Sequence, residues 1–148
     1  MKCLSFNCKG LASASKKLAL QRLVEVDPID IILLQETLGL AEHITCSLQS
    51  LVPRWNFVAV DAVGRSGGLA VGYNPTSINV DASWGGSRFM GIDIFSAELS
   101  KNLWIMNVFG SCHQREQFWH HFLILSILAS DHIIIGGDLK FSLGFNES

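Results

Sequence analysis

Three polar residues that could act on a phosphate ester each follow an apolar run of the chain. They are Asn7, Glu36 and Asp138. The carboxylate of Glu36 and the carboxamide of Asn7 offer hard oxygen ligands of the kind that Mg²⁺ takes, because this ion binds one or two carboxylates and keeps water for a substrate phosphate. Asp138 could orient or deprotonate a water molecule for attack on phosphorus. These residue types indicate a metal-assisted hydrolytic site.

Each of the three residues also has an ordinary structural interpretation. A glutamate after a strand is often only a solvated strand end, and asparagine is common in turns because its side chain binds its own backbone. An aspartate after two glycines is also typical of a turn. The order and context of the three favour a site instead, because strand ends that converge at one edge of a sheet hold side chains on a fixed backbone.

The pattern of apolar residues predicts the elements that position these side chains. Residues 29–34 are almost all apolar, as expected of a strand covered on both faces, and they lead directly into Gln35 and Glu36. Leu20, Leu23 and Val24 recur at helical spacing and predict a helix. The predicted strands are residues 2–6, 29–34, 56–60, 69–73, 78–82, 89–95, 103–108 and 132–135, and the predicted helices are residues 16–26, 41–51 and 114–128.

This mixture of elements predicts an α/β fold with a mixed, largely antiparallel sheet and flanking helices. The close spacing of strands 78–82, 89–95 and 103–108 is typical of an antiparallel meander. The glycine-rich segment 64–68 is predicted as a loop that enters the strand at residues 69–73. A chain of 148 residues fits one domain, so residues 1–148 are expected to form a single unit.

Composition limits the classes of protein that the chain can belong to. Hydrophobic residues make up 49% and charged residues 16%, which indicates a packed interior rather than a disordered chain. The apolar runs are too short to cross a membrane, and the N-terminus lacks the apolar stretch of a secretory signal, so we expect an intracellular protein. A net charge of −2 argues against strong non-specific binding to nucleic acid, so any contact with DNA must be weak and local.

Five stretches, taken in order, resemble the successive motifs of the endonuclease/exonuclease/phosphatase superfamily. They are MKCLSFNCKGL, DIILLQET, GRSGGLAV, IMNVFG and IIIGGDL. They are most similar to the endonuclease domains of plant non-LTR (LINE-type) retrotransposons, and more distantly to apurinic/apyrimidinic endonucleases and deoxyribonuclease I. The resemblance implies the N-terminal half to two-thirds of a four-layer α/β/β/α sandwich. It also implies an endonuclease that uses Mg²⁺, or Mn²⁺, to cleave DNA by in-line attack of water.

The resemblance assigns roles to individual residues. Asn7 and Glu36 match the asparagine and the metal-binding glutamate of the superfamily, and Asp138 matches the aspartate that positions or activates the attacking water. Phe109 stands where a tyrosine hydroxyl usually contacts the phosphate. Lys140 stands where the asparagine of a G-D-x-N motif orients the substrate, and lysine cannot both donate and accept hydrogen bonds as a carboxamide does.

A further departure concerns the Ser-Asp-His motif that follows G-D-x-N in the superfamily. Here Ser130-Asp131-His132 precedes Asp138, so it is interpreted as a connection between a helix and a strand. We therefore expect an incomplete domain with weak or absent turnover. Two alternatives remain open. One is a non-catalytic, retrotransposon-derived fragment or binding protein, and the other is a phosphatase of the same superfamily that acts on a soluble phosphoester.

An incomplete domain would also leave apolar faces of its sheet exposed to solvent. If the second sheet of the sandwich were mostly missing, residues 29–34, 89–95 and 133–135 would expose their apolar side chains. Leaving roughly 400 Å² uncovered, at roughly 25 cal/mol per Å², forfeits about 10 kcal/mol of the free energy of folding. We therefore expect self-association through an exposed sheet face.

Overall fold

A computed structural model describes residues 1–110, 114–123 and 132–139 of the chain. Within these residues lie eight strands and three helices. In chain order they are β1 (Cys3–Asn7), α1 (Ala14–Val26), β2 (Ile31–Gln35), α2 (Ala41–Leu51), β3 (Asn56–Val63), β4 (Ser66–Tyr73), β5 (Asn79–Gly85), β6 (Phe89–Ser96), β7 (Lys101–Phe109), α3 (Arg115–Leu123) and β8 (Ile133–Asp138).

The strands form two four-stranded sheets. Sheet 1 has the order β1-β2-β4-β3, and sheet 2 has the order β5-β6-β7-β8. One pair in each sheet is parallel, β1 with β2 and β7 with β8, while the other neighbours are antiparallel. The α/β class, the antiparallel meander and the flanking helices predicted from the sequence are confirmed.

The two sheets pack face to face, with helices on both outer sides. Because side chains alternate along a strand, β2 directs Ile31 and Leu33 toward sheet 2, where they meet Ile92 and Ile105. Alternate residues of sheet 1 pack under α1 and α2 through Leu20, Ile44 and Leu48, and α3 covers sheet 2 through Phe122. The order of layers is therefore helix, sheet, sheet, helix.

This arrangement corrects the expected exposure of the sheet faces. All residues of β2 are buried, because sheet 2 covers one face of this strand and helices α1 and α2 cover the other. Met90, Ile92 and Ile94 of β6 are buried against sheet 1. The expectation of bare apolar faces at residues 29–34 and 89–95 is therefore wrong for these side chains. Exposure is confirmed for Phe95 of β6, which is 44% exposed, and for two residues of β8, since Ile134 is 39% exposed and Ile135 is 40% exposed.

Several element boundaries also differ from the predicted ones. Strand β4 begins at Ser66 rather than at residue 69, because Gly67 pairs with Ala62 and continues the ladder with β3. Helix α1 begins at Ala14, ahead of the predicted residue 16. Residues 124–128 of the predicted helix 114–128 lie outside the described residues. None of the described helices has the length and apolar character needed to span a membrane.

Candidate active site

The carboxyl ends of β1, β2, β7 and β8 lie at one edge of the sandwich and bring three predicted site residues together. In sheet 1, Asn7 pairs with Gln35, which directly precedes Glu36. In sheet 2, β8 ends at Asp138 beside Phe109. The Nδ2 atom of Asn7 donates to Oδ2 of Asp138 at 2.7 Å and to Oε1 of Glu36 at 3.2 Å. One carboxamide therefore joins carboxylates that come from opposite sheets.

The amide of Asn7 is oriented by its own loop. Its Oδ1 atom accepts a hydrogen bond of 3.0 Å from the backbone N–H of Lys9, so the amide nitrogen faces the two carboxylates. In this orientation Asn7 holds Glu36 and Asp138 in place as a donor. Direct ligation of a metal by Asn7 would require its amide to turn over and break the bond from Lys9, so that role stays a prediction.

Lys16 fixes the loop that carries Asn7. The ammonium group of Lys16, in the first turn of α1, donates to three backbone carbonyls, those of Cys8 at 2.9 Å, Lys9 at 2.8 Å and Gly10 at 3.3 Å. The same loop donates back to β2, since the N–H of Cys8 binds the carbonyl of Gln35 and that of Gly10 binds the carbonyl of Glu36. The loop after β1 is thus anchored on both sides of the site.

Burial makes Cys8 an unreactive neighbour of this loop. Removal of the thiol from water raises its pKa from 9.0 to about 12, although the positive charge of Lys16 acts in the opposite direction and lowers it. Cys8 therefore stays protonated at neutral pH and packs as a small apolar side chain.

Glu36 occupies an unusual backbone conformation just beyond β2. Its φ angle is +52°, which lies in the left-handed region that side chains other than glycine avoid. Neighbouring hydrogen bonds hold it there: the carbonyl of Glu36 accepts from Gly10, and the next residue, Thr37, donates its N–H to the carbonyl of Gly68. Such strain persists where the surroundings over-determine it, and it is frequent at functional sites.

Gly137 allows Asp138 to reach the site. Its φ angle is +138°, and a β-carbon at this position would overlap the carbonyl oxygen of Val108 on β7. Only a glycine permits the two strands to run this close together. Asp138 is then tied to the end of β7, because its carbonyl accepts from the N–H of Gly110 at 2.7 Å.

Of the two predicted phosphate-contact positions, Phe109 and Lys140, only Phe109 lies within the described residues. Phe109 lies at the end of β7, is 8% exposed, and donates its backbone N–H to the carbonyl of Arg88. It lines a cavity of about 90 Å³ together with Ser66, Gly67 and Arg88. Lys140 lies outside the described residues, so its predicted contact with phosphate stays a prediction.

His132 is far from the site. It immediately precedes β8, whose other end carries Asp138, and its Nε2 atom lies 3.1 Å from Nζ of Lys101 at the start of β7. The tripeptide Ser130-Asp131-His132 thus places its histidine at the opposite end of the sheet, while its first two residues lie outside the described part of the chain.

The donor set fits a hard divalent cation bound mainly by Glu36. In residues 1–110, 114–123 and 132–139 no group of three His, Cys, Asp or Glu side chains gathers in a metal-binding arrangement. Two half-buried carboxylates, from Glu36 and Asp138, match a Mg²⁺ site better than a zinc site, because Mg²⁺ retains several water ligands and needs few protein oxygens.

Sequence reasoning missed two cations near the site. Lys16 was included in the predicted first helix without a role, and Arg88 was not identified at all. Exposed Arg65 and Arg88 lie at the tips of the β3–β4 and β5–β6 hairpins, where Arg65 follows Gly64 and Arg88 lies two residues after Gly86. Both hairpin tips lie at the edge that carries Glu36. The sequence feature that could have identified Arg65 and Arg88 is a cation in a glycine-rich turn between two predicted strands.

Comparison with known proteins identifies the family of the chain. Residues 4–139 match the Endonuclease/Exonuclease/phosphatase family. No curated protein sequence matches the chain. Among solved structures, D. rerio TDP2 in complex with single-strand DNA product is similar over 94% of this chain and 60% of its own, with 16% identity and a TM-score of 0.70.

Two further solved structures share the fold. The catalytic domain of Xenopus laevis APE2 is 20% identical over 96% of this chain and 59% of its own, with a TM-score of 0.70. The Bacteroides thetaiotaomicron mannosyl-6-phosphatase is 12% identical over 93% of this chain and 64% of its own, with a TM-score of 0.67. The chain thus spans about three-fifths of the length of these structures. Because the family match covers nearly the whole chain and the four layers agree with it, the chain belongs to the endonuclease/exonuclease/phosphatase family.

Proposed function

We propose that the chain is a divalent-metal-dependent phosphodiesterase domain that acts on DNA with low turnover. The observation that carries this proposal is the bridge from Asn7 to Glu36 and Asp138, because it brings two carboxylates from different sheets to one open edge. Paired carboxylates of this kind are suited to hold a cation and to direct a water molecule at a phosphorus atom.

Each site residue has a separate proposed role. Glu36 would hold Mg²⁺, with Mn²⁺ as an alternative, and the bound ion would supply positive charge that polarises a phosphoryl oxygen. Asp138 would accept a proton from the attacking water. Asn7 would hold both carboxylates in position by donating hydrogen bonds from its amide nitrogen. The loop anchored by Lys16 fixes Asn7 before any substrate arrives.

The charges around the site support an extended anionic substrate. Lys9, Arg65 and Arg88 are exposed on three separate loops at the edge where the site lies. Cations spread along an open edge suit the successive phosphates of a nucleic acid strand better than a single small phosphoester. The net charge of −2 limits this attraction to the neighbourhood of the site.

Low turnover follows from the residues at two phosphate-contact positions. Phe109 has no hydroxyl to donate, and lysine at position 140 lacks the paired donor and acceptor of asparagine. Loss of one preorganised donor costs on the order of 10²–10³ in rate, so two losses leave a slow enzyme.

Plasmid nicking tests the proposal and its alternatives together. Supercoiled plasmid is incubated with Mg²⁺ and a molar excess of the purified chain, alongside a soluble phosphomonoester as a second substrate. We expect slow nicking that disappears in Glu36→Ala but persists in Glu42→Ala, a control at an exposed position of α2. Hydrolysis of the phosphomonoester without nicking would indicate a phosphatase, and no hydrolysis of either substrate would indicate a non-catalytic protein.

A further inference from the structure

Two buried carboxamides lie between the sheets directly behind the candidate site. Asn107 of β7 is 0% exposed and Gln35 of β2 is 1% exposed. They belong to different sheets, and both point into an interface that is otherwise lined by aliphatic side chains such as Leu33, Ile92 and Ile105. Burying polar side chains in such a core is costly unless their hydrogen bonds are satisfied.

Hydrogen bonds across the interface satisfy both groups. Nε2 of Gln35 donates to Oδ1 of Asn107 at 2.7 Å and also approaches the hydroxyl of Ser5. Nδ2 of Asn107 donates to the backbone carbonyls of Leu34 and Ala70, each at 2.9 Å. One side chain of sheet 2 is therefore bonded to three partners on β2 and β4 of sheet 1.

This bridge differs from the apolar packing around it because it is directional. Aliphatic side chains tolerate small sliding movements between sheets, whereas hydrogen bonds weaken steeply when their distance or angle changes. A slide of β7 along β2 would break contacts to both Leu34 and Ala70 and leave buried polar atoms without partners. The bridge thus fixes the position of sheet 2 on sheet 1 along the strand direction.

The candidate site depends on the position of sheet 2 relative to sheet 1. Gln35 directly precedes Glu36, and Asn107 lies at the register position of Gly136, two residues before Asp138. The site is complete only when the ends of β1 and β2 meet the ends of β7 and β8, since Asn7 reaches Asp138 across the gap between sheets at 2.7 Å.

We propose that Asn107 and Gln35 are positioning residues whose buried hydrogen bonds hold Asp138 opposite Asn7 and Glu36. Their importance for catalysis rests on the function proposed above, but the positioning itself does not. Both side chains are buried between the sheets and are not exposed at the edge where a substrate would bind. A substitution there therefore acts on the site through the relative placement of the two sheets.

The side-chain amide signal of Asn7 in a ¹⁵N-labelled sample reports this placement without metal or DNA. Asn7→Ser identifies the signal by its loss, and Asp138→Ala gives its position when the contact is broken. We expect Asn107→Leu to move the signal more than halfway toward the Asp138→Ala position. The matched control is Ile105→Ala on the same face of β7, which should leave the signal in place even though it removes buried apolar contacts.

Gln35→Met provides a second variant that keeps side-chain length and removes the donor to Asn107, in case Asn107→Leu fails to fold. It should move the Asn7 signal in the same direction. An unmoved signal in the folded variants, or an equal movement in Ile105→Ala, would overturn the proposal. A nicking assay on the same samples separates the two claims: if the wild type does not nick DNA while the Asn7 signal still responds to Asn107→Leu, the positioning role stands and the proposed function falls.

Discussion

A single hydroxyl separates Phe109 from the tyrosine that the sequence resemblance predicts at this position. The ring of Phe109 lies beside a cavity of about 90 Å³ lined by Ser66, Gly67 and Arg88. Phe109→Tyr should therefore raise the rate of plasmid nicking, because it restores a hydrogen-bond donor near the phosphate.

The expected gain is roughly 10-fold to 100-fold, which is somewhat less than the usual cost of losing a preorganised donor. Phe95→Tyr is the matched control, since Phe95 lies exposed on β6 outside the site. Single-turnover nicking rates of wild type, Phe109→Tyr and Phe95→Tyr test this prediction. Equal rates for Phe109→Tyr and wild type would show that the missing hydroxyl does not limit turnover.

Burial of Cys8 predicts a dependence of stability on alkaline pH. The folded-state pKa of this thiol is raised from 9.0 to about 12, so ionisation above pH 9 favours the unfolded chain. Its contribution to stability is fully present below about pH 9 and is lost as pH rises toward 12. Between about pH 8 and pH 10.5 we expect a loss of about 1–2 kcal/mol in the free energy of unfolding. Urea denaturation should show a smaller loss for Cys8→Ala, and identical pH dependence would contradict the prediction.

At the scale of elements, the sequence predicted most strands because their apolar runs are short and bounded by turn residues. The run at residues 29–34 became β2, and the meander of β5, β6 and β7 follows the predicted order. The predicted strand boundaries differ from the observed ones where glycines indicated a loop. The sequence predicts a turn at Gly67 and Gly68, yet both belong to β4, and Gly68 lies against Thr37 where a β-carbon would overlap the hydroxyl.

The candidate site could be predicted only in part for a related reason. Asn7, Glu36 and Asp138 stand out as polar residues at the ends of apolar runs. Asn107 stands in the middle of such a run, so its interruption of the pattern in β7 was the only sign of it. Pairing between sheets is a contact between residues distant in sequence, and the alternation within one strand cannot show which residue of another sheet lies opposite.

Lys16 shows how an element can support the site from a distance. Lys16→Met keeps the length of the side chain but removes three hydrogen bonds to the loop after β1. Charged hydrogen bonds to backbone contribute about 1.5–3 kcal/mol each when protected, and partial exposure reduces this, so we expect a loss of about 1–2 kcal/mol in stability. Nicking should fall further than stability alone explains, because Asn7 loses its support.

Lys17→Met is the control for this substitution, since it removes the adjacent positive charge from the same helix. Thermal denaturation and nicking rates measured on both variants separate the two effects. If Lys17→Met lowers the nicking rate as much as Lys16→Met, then general positive charge, and not anchoring of the loop, explains the result.

At the scale of the whole molecule, self-association stays a prediction, but its basis has changed. The inner faces of both sheets are covered, so the exposed apolar side chains of interest are Phe6, Ile134 and Ile135 on the edge strands β1 and β8. Edge strands that carry exposed apolar residues tend to pair with other chains. We expect the chain to elute above its monomer mass in size-exclusion chromatography.

Ile134→Lys with Ile135→Lys should shift this elution toward the monomer, because charges on an edge strand oppose pairing. Val63→Lys is a matched control at an exposed position of β3, on the other edge of sheet 1. A wild-type chain that elutes as a monomer would contradict the prediction, as would an equal response to the control substitution.

In the proposed function, carboxylates from two different sheets act on one phosphodiester bond. Its most direct test is the Mg²⁺-dependent nicking rate of wild type, Glu36→Ala, Asp138→Ala and the double variant, with Glu42→Ala as control. If the two carboxylates act as a unit, each single substitution should abolish most of the activity and the double variant should be no slower than either one. Nicking that survives in Glu36→Ala or Asp138→Ala at the rate of Glu42→Ala would contradict a joint role of these carboxylates in hydrolysis.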